Sequence, residues 1–279
     1  MTQAVESTEK RESSQVAGEA LAAFIKRHPK LWVITGAGVS TDSGIPDYRD
    51  ADGQWKRPPP VQHGDFMSSF AVRQRYWARA LVGFKAMREA QVSGAHRALA
   101  KLEAMGHVEL LVTQNVDRLH QRAGSKKVID LHGRADVVAC MACGYQMMRH
   151  AMHSEMARMN PAFAALDARH APDGDADLET DFSTFNVLDC PRCKGILKPQ
   201  VVYYGDVVPP ARRLAAQRPS LPEAAGDAGG AVSAGSGGGG NDRVGGAAVA
   251  AVAAVAARLA RVAVGARDSG GAGAAARGA

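Results

Sequence analysis

The chain has 279 residues and a formal net charge of +6, and hydrophobic residues make up 46% of it. That length fits one large α/β domain with an insertion, or two small domains. The arginines of residues 211–279 carry most of the excess positive charge, and no basic stripe interleaved with aromatic residues precedes them. The composition therefore argues against a nucleic-acid partner.

Neither end of the chain has the pattern of a targeting or membrane segment. Acidic and basic residues are mixed over residues 6–12 without an apolar core, which excludes a secretory signal. The longest apolar run, residues 247–257, is rich in alanine and too short to span a bilayer. These features predict a cytoplasmic protein with no membrane partner.

A glycine-containing turn follows the first predicted strand, residues 31–34. Gly36 and Gly38 allow backbone N–H groups to approach a pyrophosphate, where a side chain would collide. Ser40 opens a polar run that can start a helix, whose free N–H groups favour an anion. Arg49, later in the same segment, can form a forked pair with a phosphate. Glycines also occur in ordinary strand-to-helix turns, so both interpretations of the glycines alone remain open.

A second polar cluster follows a predicted helix and strand. Residues 93–105 have a helical apolar period that begins at a serine, and residues 108–112 form an apolar run typical of a strand. This strand leads into Gln114, Asn115 and Asp117. Polar residues at the carboxyl end of a strand belong at the ligand crevice of an α/β sheet. A polar turn that caps a short helix explains the same residues equally well.

A third predicted strand, residues 128–131, ends in His132, which is followed by Gly133. A histidine in this position can act as a general base, because its ordinary pKa lies near neutrality. A lone histidine is more often a surface residue or a satisfied core residue. Its place directly before a cysteine-rich insertion favours the catalytic interpretation.

The four cysteines form two CxxC pairs, which are Cys140 with Cys143 and Cys190 with Cys193. Four thiolates complete a tetrahedron around Zn²⁺ and close its ligand shell, so the metal would be structural. The alternative is a set of disulfides or redox motifs, which a reducing cytosol disfavours. The spacing predicts a zinc module, residues 136–198, inserted into the nucleotide-binding domain.

Together these segments resemble the sirtuin family of NAD-dependent protein deacylases. The resemblance covers residues 24–206 and rests on motifs in chain order: Gly36-Ala37-Gly38, Gly44-Ile45-Pro46-Asp47-Tyr48-Arg49, Thr113-Gln114-Asn115-Val116-Asp117, Leu131-His132-Gly133, the two CxxC pairs, Leu197-Lys198-Pro199 and Val201-Val202-Tyr203-Tyr204-Gly205-Asp206. Residues 63–66, 73–79 and 171–175 are similar to the class II group, which includes bacterial enzymes.

The resemblance implies an α/β fold, a Rossmann-like parallel sheet with a small inserted zinc-binding module. Residues 13–135 would form the first part of the NAD-binding domain, residues 136–198 the zinc module and residues 199–206 the substrate-binding strand. It also implies NAD as co-substrate and one structural Zn²⁺. The partners would be acyl-lysine proteins, bound by a monomer.

The resemblance assigns a role to each matching residue. The NAD-binding residues would be Gly36, Ala37, Gly38 and Ser40 on the pyrophosphate side, Asp47, Tyr48 and Arg49 in a loop over the nicotinamide ribose, Gln114 at the ribose, and Ile45, Asn115 and Asp117 around the nicotinamide. Asn115 and His132 would be catalytic. Val202 and Tyr203 would hold the extended substrate peptide by strand addition.

The resemblance implies deacylation by transfer of the acyl group to NAD. The acyl oxygen attacks the anomeric carbon as nicotinamide leaves, and His132 then acts as general base toward a ribose hydroxyl, so that O-acyl-ADP-ribose forms. Two other functions remain open. One is a protein ADP-ribosyltransferase, which uses the same cleavage, and the other is a non-catalytic zinc-containing binding protein.

Residues 207–279 depart from the family pattern. More than half of residues 211–279 are Ala or Gly, and no Gly-Ser-Ser motif is recognisable. Such a segment buries too little apolar surface to fix a core, so we predict a disordered or out-of-frame tail, with a frameshift near Pro210. The predicted consequences are an unpaired edge on the first strand and impaired activity.

Overall fold

The computed structural model describes residues 16–46, 60–168, 175–217 and 231–234. Within these ranges the strands are β1 (Leu31–Thr35), β2 (Val108–Thr113), β3 (Val128–Asp130), β4 (Gly133–Cys140), β5 (Gln146–Met148), β6 (Leu197–Val201) and β7 (Ala231–Ala234). The helices are α1 (16–27), α2 (His63–Ser68), α3 (Phe70–Glu89), α4 (Gly94–Ala104), α5 (Leu119–Arg122), α6 (Arg149–Met159), α7 (Pro161–Ala164) and α8 (Pro210–Ala215).

Four strands form a parallel sheet in the order β3-β2-β1-β7. Val33 of β1 lies opposite Leu111 of β2, and Trp32 lies opposite Ala231 of β7. The chain places β2 and β3 on one side of β1 and β7 on the other, so the strand order reverses between β1 and β7. Ligands of such sheets bind at this reversal, beyond the carboxyl ends of the strands. The predicted α/β fold with a Rossmann-like parallel sheet is confirmed.

The first two strands pack against α1 and α4. Leu31 and Val33, at alternate positions of β1, form a buried cluster with Leu99 and Leu102 of α4. The helix begins where the sequence predicted, because the Ser93 hydroxyl accepts a hydrogen bond from the third residue of the helix. This packing fixes the carboxyl ends of β1 and β2 side by side.

A second sheet, antiparallel and in the order β5-β4-β6, carries the cysteine pairs. Cys140, the last residue of β4, lies opposite Leu197, the first residue of β6. Helix α6 contacts both β4 and β5. The sheet runs from Gly133 to Val201. The boundaries at residues 136 and 198 stay predictions.

Helix α3 joins the second sheet to the rest of the molecule. Trp77 is fully buried in one cluster with Val138 of β4 and Leu197 of β6. Gly83 passes so close to Asp175 that a Cβ there would overlap the Asp175 carbonyl group. A glycine at this point of the helix therefore permits the close contact.

The tail contains two ordered elements that the sequence analysis did not predict. Helix α8 lies at residues 210–215, and β7 pairs along β1, so the prediction that this strand edge is unpaired is wrong. The disordered or out-of-frame character of residues 207–279 stays a prediction. Composition misled because a strand pairs through backbone N–H and C=O groups, which alanine and serine provide as well as larger residues do. In the described part of the chain, no helix is both long and apolar enough to cross a membrane.

Candidate active site

The glycine turn after β1 leads into a 3-10 helix, Ala37–Ser43. Gly36 is its N-cap and makes no side-chain capping bond, whereas the sequence predicted a helix start at Ser40. Ser40 lies inside this helix and is only 1% exposed. The helix ends at Gly44, whose φ of +82° lies in the left-handed region that glycine adopts without strain.

Ser40 is turned toward the polar segment that follows β2. Its hydroxyl donates to Asp117 Oδ2 at 2.7 Å and accepts from Asn115 Nδ2 at 3.0 Å. The other carboxylate oxygen of Asp117 accepts from the backbone N–H of Leu119 at 2.9 Å, at the start of α5. The two motifs that the sequence singled out separately therefore meet in one hydrogen-bonded cluster.

This cluster sits at the carboxyl ends of the two central strands. The backbone N–H of Gln114 donates to the Thr35 carbonyl at 2.9 Å, which holds the ends of β1 and β2 together. Ile45 is buried and packs in one cluster with Leu119 and Ala135. A polar set beside an apolar wall suits a flat heterocycle that also carries an amide.

His132 follows β3 and lies beside the last strand of the second sheet. Its carbonyl oxygen accepts a hydrogen bond of 2.8 Å from the Val202 N–H. Burial lowers the pKa of the His132 imidazole, although a backbone hydrogen bond with Gln114 opposes this effect. The ring is therefore neutral at pH 7 and can accept a proton.

Gly133 explains how the two backbones come so close. A Cβ at this position would overlap the Gln200 carbonyl oxygen, and its φ is +88°. Glycine satisfies both requirements.

Tyr203 has a buried side chain, whereas its predicted role in strand addition uses backbone groups. Its side chain is buried against Phe66, with ring centroids 5.4 Å apart, and the Lys198 ammonium lies 4.3 Å from its ring centroid. The Tyr203 carbonyl accepts from the Asp206 N–H at 3.0 Å. The peptide-binding roles of Val202 and Tyr203 stay predictions.

Lys198 is a buried lysine that the sequence analysis quoted but gave no role. It is 4% exposed, and its ammonium donates to the Val201 carbonyl at 2.6 Å and to Asp206 Oδ2 at 3.0 Å. Asp206 Oδ2 also lies 3.2 Å from His63 Nδ1 at the start of α2. A lysine between Leu197 and Pro199 in this strand was the available signal, since a buried charge of this kind is paired.

The four cysteine sulfurs lie within 4.8 Å of one another. Cys140 Sγ is 3.5 Å from Cys193 Sγ, and Cys143 Sγ is 3.7 Å from Cys190 Sγ. All four cysteines are free. Gly195 makes room for the cluster, because a Cβ there would lie 2.9 Å from Cys140 Sγ. The thiol set and its geometry fit a tetrahedral Zn²⁺.

The pKa values of the cysteine thiols also favour the binding of a metal cation by the four sulfurs. Backbone N–H groups of Cys143 and Ala142 lower the pKa of the Cys140 thiol to about 6. At Cys193 the Gly195 N–H favours the thiolate, but the sulfurs of Cys143 and Cys140 outweigh it and raise the pKa to about 12. A second negative charge is thus unfavourable until a cation is shared.

Three predicted NAD-binding residues, Asp47, Tyr48 and Arg49, lie outside the described residues. The described chain stops at Pro46 and resumes at residue 60.

The profile of the Sir2 family matches residues 36–223. The chain belongs to the Sir2 family. The match extends past Asp206, where the sequence analysis ended the resemblance, so that limit is wrong. The sequence of α8, rich in Ala and Arg, carries no motif that indicates this longer match.

Bacterial members of the Sir2 family are close in sequence. An "NAD-dependent protein deacetylase" of Xanthomonas axonopodis pv. citri (strain 306) is 58% identical over 190 residues, which are 68% of this chain and 65% of the relative. One of Bradyrhizobium diazoefficiens, named "NAD-dependent protein deacetylase 2", is 54% identical over 71% of this chain and 72% of the relative. The matched part thus spans about two thirds of these relatives.

Solved Sir2 structures share the fold. One described as "Sir2-p53 peptide-NAD+" has a TM-score of 0.52 and 28% identity, covering 70% of this chain and 68% of that chain. Another, "Structure of Sir2Tm bound to a propionylated peptide", has a TM-score of 0.52 and 27% identity with the same coverage.

Proposed function

We propose that this chain is an NAD-dependent protein-lysine deacylase of the Sir2 family. The observation that carries the proposal is the meeting of Ser40, Asn115 and Asp117 at the reversal of the parallel sheet. His132 follows the neighbouring strand, β3, and is joined through its backbone to the segment after β6. The names of the bacterial relatives and the NAD and peptide complexes of the solved structures agree with this activity.

The residues fit NAD by the chemistry of their polar groups. Asn115 and Asp117 offer amide and carboxylate groups to a carboxamide, and Ile45 supplies the apolar wall. Gly36, Ala37 and Gly38 present backbone at the start of the 3-10 helix, where a pyrophosphate would lie. Bound NAD supplies a glycosidic carbon whose leaving group is nicotinamide.

The residues of the chain then have separate tasks. The Ser40–Asp117 bond fixes the orientation of the Asn115 amide, since Asn115 Nδ2 donates to the same hydroxyl. His132, neutral because burial lowers its pKa, takes a proton from a sugar hydroxyl. Backbone groups near Val202 orient the peptide, and Gln114 would hydrogen-bond the ribose.

Incubation with an acetyl-lysine peptide and NAD tests the proposal. A deacylase releases nicotinamide and yields O-acyl-ADP-ribose, which mass spectrometry identifies. Labelled protein in place of that product would instead indicate an ADP-ribosyltransferase. No nicotinamide release from any acyl-peptide, with NAD binding intact, would indicate a non-catalytic binding protein.

We further propose that Zn²⁺ bound by the four cysteines is structural, because four thiolates leave no open position for a substrate. Free thiols of this kind persist in a reducing compartment, which supports a cytoplasmic location. The motifs at residues 63–66 and 73–79 support membership of class II. We propose a monomer, which light scattering on the purified chain tests.

The tail carries a separate proposal. Its Ala- and Gly-rich composition supports a shifted reading frame, and the family match through residue 223 moves the shift beyond Pro210. We propose that NAD binding is weakened as a result, since the adenine side of the crevice would lie beyond β7. Translation of the other frames of the gene tests the shift. Tight NAD binding with ordinary turnover would contradict the weakening.

A further inference from the structure

Two buried histidines lie directly behind the candidate NAD site. His96 of α4 is 0% exposed and His120 of α5 is 1% exposed. Their rings meet edge to face, with centroids 4.7 Å apart at an interplanar angle of 64°. Neither ring is hydrogen-bonded to the Ser40–Asp117–Asn115 cluster among the described residues, although the Asp117 charge partly opposes the effect of burial on the pKa of His96.

His120 is bonded to Thr35 of β1, the residue before the glycine turn, and His96 reaches the turn only through Ser93. His120 Nε2 is hydrogen-bonded to Thr35 Oγ1 at 2.9 Å, and Thr35 directly precedes Gly36. His96 Nδ1 lies 2.7 Å from Ser93 Oγ, which donates to the carbonyl of Val39 at 3.1 Å, inside the 3-10 helix. The pair therefore holds the turn at its start and in its middle.

The protonation of the pair follows from its contacts. His96 Nδ1 lies 3.2 Å from the backbone nitrogen of Ser93 and 2.7 Å from its hydroxyl oxygen, so Nδ1 is the ring atom that faces Ser93. Burial lowers the pKa of both rings, that of His120 to about 3. His96 Nε2 and His120 Nδ1 have no hydrogen-bond partner among the described residues. Retaining such groups in a core costs stability, which a positioning role would explain.

We propose that His96 and His120 form a positioning pair that sets the distance between the glycine turn at residues 36–45 and the loop at residues 114–118. The inference rests on the proposed function, because the ligand of both segments is NAD. His120 follows the Asp117 loop in the chain and is hydrogen-bonded to Thr35 of β1. His96 contacts Ser93, whose hydroxyl is hydrogen-bonded to the 3-10 helix. Removing either link loosens the turn without removing any group that touches NAD.

The first test needs no ligand. Thr35→Val removes the hydroxyl with little change in shape, and Thr35→Ser keeps it. Loss of one buried hydrogen bond changes an equilibrium by roughly 5- to 100-fold. Amide hydrogen exchange at residues 37–45 should rise by such a factor in Thr35→Val, stay near normal in Thr35→Ser, and change little in β4 and β6. His120→Phe should reproduce the Val variant.

The control breaks a buried hydrogen bond elsewhere. Gln74 Nε2 donates to the carbonyls of Ser183 and Phe185, at 2.9 and 3.0 Å, far along the chain from the turn. Gln74→Leu should lower the melting temperature without raising exchange at residues 37–45. If Thr35→Val behaves like this control, or if Thr35→Ser fails to restore protection, the pair is ordinary core and the proposal is overturned.

The second test measures the dissociation constant for NAD. Thr35→Val should raise it by about the factor seen in exchange, and Thr35→Ser should restore it. If the parent chain binds no NAD, the proposed function fails, whereas the exchange result still decides whether the pair positions the turn. Selective loosening of the turn with an unchanged NAD affinity would overturn the link between the pair and the cofactor.

Discussion

The Val202 N–H donates to the His132 carbonyl oxygen over 2.8 Å. This bond joins the residue proposed as general base to the segment proposed to hold the peptide. The register of β4 and β6 places Gly133 opposite Val201, directly beside it. A shift of β6 would therefore move the peptide segment relative to the base.

Gly133→Ala should separate β4 from β6 at this point. The new Cβ would overlap the Gln200 carbonyl oxygen, and the φ of +88° is strained for alanine. Strain and overpacking together predict a loss of roughly 2–6 kcal/mol in the free energy of unfolding. Urea denaturation measures this loss.

Gly64→Ala is the matched control for that substitution. Gly64 lies in α2, and a Cβ there would meet nothing within 4 Å. Alanine is the better helix former by up to about 1 kcal/mol, so this variant should be as stable as the parent or slightly more so. Equal destabilisation by both variants would contradict the argument from close approach.

His132→Tyr should lower turnover by roughly 10²–10⁴-fold, the usual contribution of a positioned base. NAD affinity should change far less, since the polar cluster of Ser40, Asn115 and Asp117 is untouched. Because burial lowers the pKa of His132 below 6.5, activity of the parent should persist at pH 7 and fall as the pH drops through that lowered value. Steady-state rates from pH 5 to 8 measure it. A variant with full activity would remove His132 from this role.

Local patterns predicted much of the fold and part of the site. Ser93 begins α4 as its capping preference indicates, and the apolar runs became β1 and β2. The meeting of Ser40 with Asp117 could be expected only in outline, because parallel strands bring their carboxyl ends to one edge. Which hydroxyl bonds to which carboxylate depends on the packing of α4 and α5.

The misses share a physical cause, which is that pairing and packing are not local. The strand motif gave no sign that the Tyr203 ring is buried beside Phe66 and Lys198, while the role of Tyr203 in strand addition, which uses backbone groups, stays a prediction. The Ala- and Gly-rich composition of residues 211–279 gave no sign of a strand, yet β7 pairs with the edge of β1. In the turn that carries Cys190 and Cys193, Lys194 has a φ of +62°, and Gly195 leaves space for the sulfur of Cys140.

Zinc should be present at about one ion per chain, and Cys143→Ser should reduce it to a small fraction. The zinc contribution to stability in small modules is on the order of 10 kcal/mol, so this variant should lose the cooperative unfolding of the second sheet. Metal analysis and thermal unfolding with and without a chelator measure both effects. Met141 lies between Cys140 and Cys143 and is 45% exposed, so Met141→Ser is the control variant that should keep its zinc.

Lys198→Met should weaken peptide binding more than NAD binding. The ammonium joins the Val201 carbonyl to Asp206, and methionine fills the space without these bonds. The variant leaves the Asp206 carboxylate with His63 and the Val207 N–H but without its ammonium partner, so the turn at residues 202–206 should loosen. The KM for acyl-peptide should rise about 10- to 150-fold, which corresponds to one hydrogen bond to a charged group. An unchanged KM for peptide together with a raised KM for NAD would contradict this assignment.

The buried histidines should make the fold sensitive to mild acid. Burial lowers the pKa of His120 to about 3, with the nearby His96 adding to the effect, while in the unfolded chain the value returns to 6.5. Below pH 6.5 the unfolded state therefore binds a proton at His120 that the folded state does not bind. The contribution of neutral His120 to the free energy of unfolding is complete above pH 6.5 and is lost as the pH falls below that value. For His120 alone the slope approaches about 1.4 kcal/mol per pH unit. Urea titrations at pH 7.5, 6.0 and 5.0 should show this decline, and His120→Asn should reduce the slope by about one proton, whatever its own stability. An identical pH slope in parent and variant would show that His120 takes up its proton without unfolding.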